Sequence, residues 1–221
     1  MLPRPVLLGH RGVRGRRYGV CENTLPAFDL ALKHGCDGFE FDVRLTADGH
    51  AVVCHDSKHT RRLIAKSTVE QLRDLPLFEE VVTRYSQRAF LDIELKVPGL
   101  EQQIVSLLSK RIPQNAYVIS SFLPEIVLEL RKRTPSAPLG LICETARQLA
   151  WWKELPITHV IAKQTLVTRE LSSQIHAAGR QLFVWTVNQR ASMVGLAKWG
   201  VDGIISDRTD ILVEAFSPGL P

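Results

Sequence analysis

The 221-residue chain is predicted to be an α/β protein, a single (β/α)8 TIM barrel spanning residues 1–221 with a β-hairpin after strand two. Three observations carry this. Strand-like apolar runs alternate with helix-period runs eight times along the chain, and such alternation demands a parallel sheet covered by helices. After the second strand, an Asp48-Gly49 pair separates it from a return run through Val52 and Val53. So few residues cannot carry a parallel crossover, so the return strand must be antiparallel. Finally, no GxGxxG or GxxxxGK[ST] follows any strand, which counts against an open doubly wound sheet, the competing arrangement.

In chain order, residues 6–12 (VLLGHRG) form a short apolar run that stops with His10 and Arg11 at its C-terminal end. Asn23 or Thr24 can cap the next helix, Pro26 fits its first turn, Leu25, Phe28 and Leu32 share a face, and Gly35 stops it. In residues 38–45, Phe39, Phe41 and Val43 point one way and Glu40, Asp42 and Arg44 the other. The hairpin then folds His55 and Asp56 back beside Phe41 and Asp42. Residues 67–85 read as one or two helical pieces broken near Pro76, ahead of strand 90–96 (FLDIELK). The remaining strands fall at 117–122, 139–143, 159–163, 181–187 and 203–207, with helices at 99–111, 124–133, 145–154, 168–178 and 189–199 and a closing helix to about 216. GCDGFEFD at 35–42 is echoed by GVDGIISD at 200–207, which we read as shared helix-to-strand turn chemistry.

Composition sets outer limits. A hydrophobic content of 45% suits a full core, and no apolar run approaches membrane-spanning length. Leu2-Pro3-Arg4-Pro5 leads directly into a strand, so no secretory leader is expected. The four cysteines have neither zinc spacing nor disulfide density, which favours a reducing, cytoplasmic setting. The formal charge of +5 suits an anionic substrate and many other partners. RGVRGRR at 11–17 invites a nucleic-acid reading, but no helix-turn-helix, zinc-finger or RNA-binding signature accompanies it.

In a barrel the active site lies at the C-terminal strand ends. There the sequence places His10 and Arg11 on strand one, Glu40 and Asp42 on strand two, Glu94 and Lys96 on strand three, and Trp185 and Asn188 on strand seven. Glu40, Asp42 and Glu94 make an oxygen-ligand set for a hard cation such as Mg2+ or Ca2+, without the cysteines or HExxH that zinc would favour. His10 and His55 suit general base and general acid, and Arg11 and Lys96 suit phosphate oxygens. Trp185 can equally be barrel core or the wall of a small-molecule pocket. The other five histidines are assigned to surface or packing, Trp151, Trp152 and Trp199 to packing, and Asp56 to orienting His55 or capping the loop, while Glu22 and Asn23 could support the site, although a helix cap by itself explains Asn23.

Taken together, HRG (10–12), ENT (22–24), FEFDV (39–43), DG (48–49), HD (55–56), ELK (94–96) and VWTVN (184–188) resemble the glycerophosphodiester phosphodiesterase family, in order and over nearly the whole chain. The resemblance implies a metal-dependent phosphodiesterase that hydrolyses a small-molecule glycerophosphodiester to an alcohol and sn-glycerol 3-phosphate. It places the family's catalytic histidines on His10 and His55, its metal ligands on Glu40, Asp42 and Glu94, and its phosphate contacts on Arg11 and Lys96. The stretch after His55 is short beside the long insertion of many members and keeps only an echo of their IPTLEE-like run at Pro76-Leu77-Phe78-Glu79-Glu80. A smaller insertion would open the pocket on the alcohol side. A lysophospholipase D-type enzyme using the same site on lipids is the alternative, and it would need an apolar lip, for which Leu63-Ile64 and Phe122-Leu123 are the candidates.

Overall fold

The computed structural model describes residues 4–111 and 117–217. Eight parallel strands close on themselves: β1 (Val6–Gly9), β2 (Gly38–Leu45), β6 (Phe90–Leu95), β7 (Tyr117–Ser121), β8 (Leu139–Cys143), β9 (His159–Lys163), β10 (Gln181–Trp185) and β11 (Gly203–Ser206). β1 pairs with β11 on one side and β2 on the other, which shuts the barrel. The predicted hairpin is present as β3 (Ala51–Val53), which returns antiparallel to β2 with Val43 opposite Val53. Two short strands that periodicity did not reveal, β4 (Lys58–His59) and β5 (Arg62–Leu63), pair in the segment that follows. Helices α1 (Leu25–His34), α2 (Phe78–Tyr85), α3 (Glu101–Arg111), α4 (Pro124–Arg133), α5 (Ala146–Ala150), α6 (Arg169–Ala177), α7 (Arg190–Lys198) and α8 (Thr209–Phe216) form the outer ring. The helix expected at 145–154 is shorter, ending in a 3-10 turn at Trp151–Lys153. Among the described residues no helix is long and apolar enough to cross a membrane.

Alternation along β2 builds two different layers. Phe39 and Phe41 point outward, where Phe39 stacks on Phe28 of α1 at 4.2 Å and meets the edge of Tyr85 of α2 at 5.0 Å. Glu40 and Asp42 point into the barrel, and the register sets them beside Asp92 and Glu94 of β6. The opposite inner wall is apolar, with Leu8, Ile142, Ile161, Phe183 and Ile205 buried in one cluster. The barrel interior is therefore polarised, acidic on the β2–β6 side and hydrocarbon on the other.

Both copies of the GxDG echo do the same structural work at the start of a strand. Asp37 accepts the Leu7 N–H at 2.8 Å and Asp202 accepts the Leu182 N–H at 2.7 Å. The glycine that follows admits a close neighbour: a Cβ on Gly38 would lie 1.9 Å from the Phe90 carbonyl oxygen. Backbone cannot retreat as a side chain can, so Gly38→Ala should destabilise the barrel by about 1–3 kcal/mol. Urea denaturation measures this, and an unchanged midpoint would contradict the packing.

Candidate active site

Each functional side chain is delivered by a strand end or the turn just beyond it. β1 stops at Gly9, and the chain turns through Arg11, which adopts φ 55°, and Gly12. The Arg11 N–H there donates to Glu40 Oε2 at 2.9 Å. The Cys54 N–H bonds the Asp42 carbonyl at 3.0 Å, so the hairpin brings His55 to the rim as its turn chemistry predicts.

The acidic trio converges. Glu40, Asp42 and Glu94 each offer an oxygen within 4.8 Å of the others, and all three residues are buried. Glu40 Oε1, Asp42 Oδ1 and Glu94 Oε1 have no well-directed hydrogen bond. The last two share the ammonium of Lys96, which lies 2.6 Å from Glu94 and 3.3 Å from Asp42. Carboxylate oxygens buried without donors are costly unless a cation meets them, and three hard oxygen donors at this spacing fit Mg2+ or Ca2+.

Electrostatics separate the members. Burial, then the Asp42 charge, pushes Glu94 up to about 8. Burial and the neighbouring carboxylates also raise Glu40 well above its usual range. Burial acts upward on Asp42 as well, but Lys96, Arg11 and the Asn23 amide outweigh it and hold Asp42 low. A carboxyl raised in the folded state binds its proton more tightly there than when unfolded, so the stability it contributes falls as pH rises through that window. The metal-free protein should therefore melt at progressively lower temperature as pH rises from the ordinary 4.5 of a glutamate to about 8, the window set by Glu94. Saturating divalent cation should flatten the profile, and a flat profile in chelator would refute a strained cluster.

The histidines flank this trio and each is held at Nδ1 by an aspartate. His10 Nδ1 lies 2.7 Å from Asp207 Oδ1, and its Nε2 faces Glu40 Oε2 at 3.8 Å. Asn188 donates to Asp207 Oδ2 at 2.8 Å and accepts the Asp207 N–H at 2.9 Å, fixing that carboxylate in place. His55 Nδ1 meets Asp56 Oδ1 at 2.7 Å on the open side of the rim, so Asp56 does orient its neighbour. Burial lowers His55 despite the Asp56 contact. Arg11 is aimed by Glu22, 2.5 Å from its Nη1, so that Nε comes within 3.4 Å of Asp42.

A cavity of about 400 Å3 joins these groups to an apolar half walled by Phe122 and Trp185 over Ile142, Ile161 and Ile205. Trp185 donates its indole N–H to the Ile161 carbonyl at 3.1 Å and stands edge-on to Phe122. It lines the pocket and packs at once. A larger cavity of about 820 Å3 opens at the other end of the barrel, around His159 and Phe183, where the described residues supply no comparable carboxylate cluster.

All eight residues singled out from sequence thus meet at one mouth, and several others join them. Thr24, not Asn23, caps α1, through its hydroxyl and the Ala27 N–H. Asn23 instead takes φ 57° and donates to Asp42 Oδ2 at 2.7 Å. Asp92 lies fully buried beside Glu40, holding the Ser120 hydroxyl at 2.6 Å, and burial raises it to about 7. Of the expected lip, Ile64 is instead buried against Val52 and Leu72. Trp152 packs as expected, whereas Trp151, just past the early end of α5, is 46% exposed, and Trp199, just past the end of α7, is 38% exposed.

The model of the glycerophosphoryl diester phosphodiesterase family matches residues 10–211, from the first rim histidine into α8. The chain belongs to the glycerophosphoryl diester phosphodiesterase family. A glycerophosphodiester phosphodiesterase of Bacillus altitudinis is 30% identical, over 94% of this chain and 96% of that protein. One from Caldanaerobacter subterraneus is 29% identical over 93% and 96%. Among solved structures, an Oleispira antarctica phosphodiesterase in complex with the product sn-glycerol-3-phosphate superposes with a TM-score of 0.85 at 25% identity, covering 98% of each chain. The Thermotoga maritima glycerophosphodiester phosphodiesterase gives 0.82 at 24% identity over 96% of this chain and 98% of that one, a likeness of fold.

Proposed function

We propose that this chain hydrolyses a glycerophosphodiester to an alcohol and sn-glycerol 3-phosphate. The reading rests on one observation above all. Three buried carboxylates that converge within ligand distance lie between two aspartate-held histidines, at the strand-end mouth of a barrel of this family. Relatives similar over nearly the full chain carry the name of this activity, and a structural neighbour is described with its product.

Glu40, Asp42 and Glu94 are the residues that would hold a divalent cation, Mg2+ or Ca2+. When bound, such an ion supplies positive charge against the phosphate oxygens as negative charge grows on them. Arg11 and Lys96 add fixed cationic groups on the same side of the pocket. The carboxylates at Nδ1 of His10 and His55 fix that nitrogen as a donor, which leaves Nε2 of each ring to exchange protons. One imidazole takes the proton of the attacking group, either water or the substrate's own hydroxyl, while the other protonates the departing alcohol; attack by the substrate hydroxyl leaves a cyclic phosphate that water then opens. The apolar half, with Phe122 and Trp185, receives the carbon skeleton and keeps bulk water from it.

The test is release of glycerol 3-phosphate from glycerophosphocholine and glycerophosphoethanolamine, with Mg2+, Ca2+ or chelator and with a lysophospholipid in parallel. Chelator-sensitive release from either diester supports the proposal. Cleavage of the lysolipid alone would replace it with the lipid-acting alternative, and release that chelator leaves intact would remove the cation from it.

A further inference from the structure

The basic loops noted in the sequence are not absorbed by the chemistry above, and the fold gathers them on one face. Arg16 and Arg17 stand exposed in the loop after β1. Lys58, Arg61, Arg62 and Lys66 are exposed in the segment after β3. That segment is tied above the strand ends, because Ala47 N–H bonds the Ser67 carbonyl and Val69 N–H bonds Asp48. On the far side of the mouth, Arg147 sits exposed in α5, and α6 and α7 open on exposed Arg169 and Arg190.

These cations are not explained by the fold. Several acidic groups on this face are already engaged, Glu22 with Arg11 and Arg14, Asp74 with His59, Glu144 with Lys163, and Asp210 with Arg208, while Glu125 and Glu170 stand exposed in the first turns of α4 and α6. Among the described residues, no carboxylate lies within 4.0 Å of the nine just named. A cation in the first turn also opposes the helix dipole, which favours acids at that end. The opposite end of the barrel behaves ordinarily. There Arg4 pairs with Asp37 and Arg133 with Glu129, and Lys33, Lys110 and Lys198 occupy last turns, where the dipole favours them. Two large apolar side chains lie among the unpaired cations: Leu63, 38% exposed directly after Arg62, and Trp151, 46% exposed one turn from Arg147. Trp151 also borders a small apolar furrow that shares Phe122 and Gln148 with the catalytic pocket.

We propose that this strand-end face docks on an anionic lipid surface, with the arginine and lysine rim against the headgroups and Leu63 and Trp151 at the interface. Charge alone would serve a polynucleotide equally well. Exposed Leu and Trp side chains set among the cations are the composition of a membrane-surface contact. Docked this way, the catalytic mouth faces the layer from which phosphodiester headgroups arise.

The experiment is co-sedimentation of the whole chain with vesicles of phosphatidylcholine alone or with about one third phosphatidylglycerol, at low and high salt. Binding should require the anionic lipid and weaken with salt. Each arginine near such a surface contributes about five-fold in affinity, so Arg61→Glu with Arg62→Glu should weaken binding at least about 25-fold. Leu63→Ser should weaken it several-fold with the charge unchanged. None of these residues belongs to the proposed catalytic set, so hydrolysis of soluble glycerophosphocholine should be unaltered, which keeps this test separate from that of the reaction. Equal binding to neutral and anionic vesicles, no binding to either, or binding untouched by charge reversal would each overturn the proposal. Binding to a single-stranded oligonucleotide without binding to anionic vesicles would assign the face to nucleic acid instead.

Discussion

Glu40→Gln should abolish cation-dependent turnover and at the same time stabilise the metal-free protein. Its carboxylate is buried beside Asp42, Glu94 and Asp92, and Oε1 has no donor. Losing a ligand removes several kcal/mol of charge stabilisation at phosphorus, a fall of about 10^3-fold or more. Losing one negative charge from a crowded cluster relieves repulsion and desolvation, a gain of about 1–2 kcal/mol of the kind common where function strains a fold. Asp42→Asn should remove activity equally but with the opposite sign on stability. Asp42 is flanked by Lys96, Arg11 and the Asn23 amide, all of which lower its pKa, and neutralising it would leave buried cations uncompensated. Thermal melts in chelator and in saturating cation distinguish the two. Wild-type protein should gain stability with cation and neither variant should. If Glu40→Gln proved less stable than wild type in chelator, the trio would be a structural ion cluster and not a strained ligand set.

What could be seen in the sequence followed from local geometry. The period-two alternation of β2 and the Asp48-Gly49 turn are enough to place Glu40, Asp42 and His55 together, and the structure repeats that construction in its register. What local geometry did not reveal were contacts that only closure creates. His10 and Asp207 are 197 positions apart, yet β1 and β11 are neighbours in a closed barrel, with Gly9 opposite Ser206. A residue just past the end of one strand then lies beside its counterpart on the other. Eight strand–helix units in a closed barrel imply this pairing, and with it the place of Asp207 beside His10. The GxDG echo concealed it further. Its first aspartates, Asp37 and Asp202, are strand-start anchors, while its last, Asp42 and Asp207, both enter the site. Asn23, open to a supporting role in the sequence, was obscured for another reason. Asparagine before a helix is so often a cap that its spacing gives no hint of a left-handed residue reaching across to Asp42.

Replacing either histidine should stop turnover while leaving the cation-induced rise in melting temperature intact, because neither ring belongs to the carboxylate trio. General acid–base groups contribute about 10^2–10^4-fold each, and His10→Ala and His55→Ala should fall in that range in kcat. The aspartates behind them should not be equivalent. The Asp207 side chain is 20% exposed and is clamped at both oxygens by His10 and Asn188, whereas that of Asp56 is 78% exposed. Burial tends to raise Asp207, but its bonds from His10 and Asn188 prevail and keep it ionised. In Asp207→Asn the His10 ring keeps a neighbour but loses the charge that fixes its tautomer, so kcat should fall about 10–100-fold with KM little changed. Water replaces the exposed Asp56 partner far more readily, and Asp56→Asn should cost less than about ten-fold. Steady-state kinetics of the two variants provides the measurement. Equal losses would mean that burial does not set the worth of these dyads, and a KM effect confined to Asp207→Asn would make it a substrate-binding residue and not a positioning one.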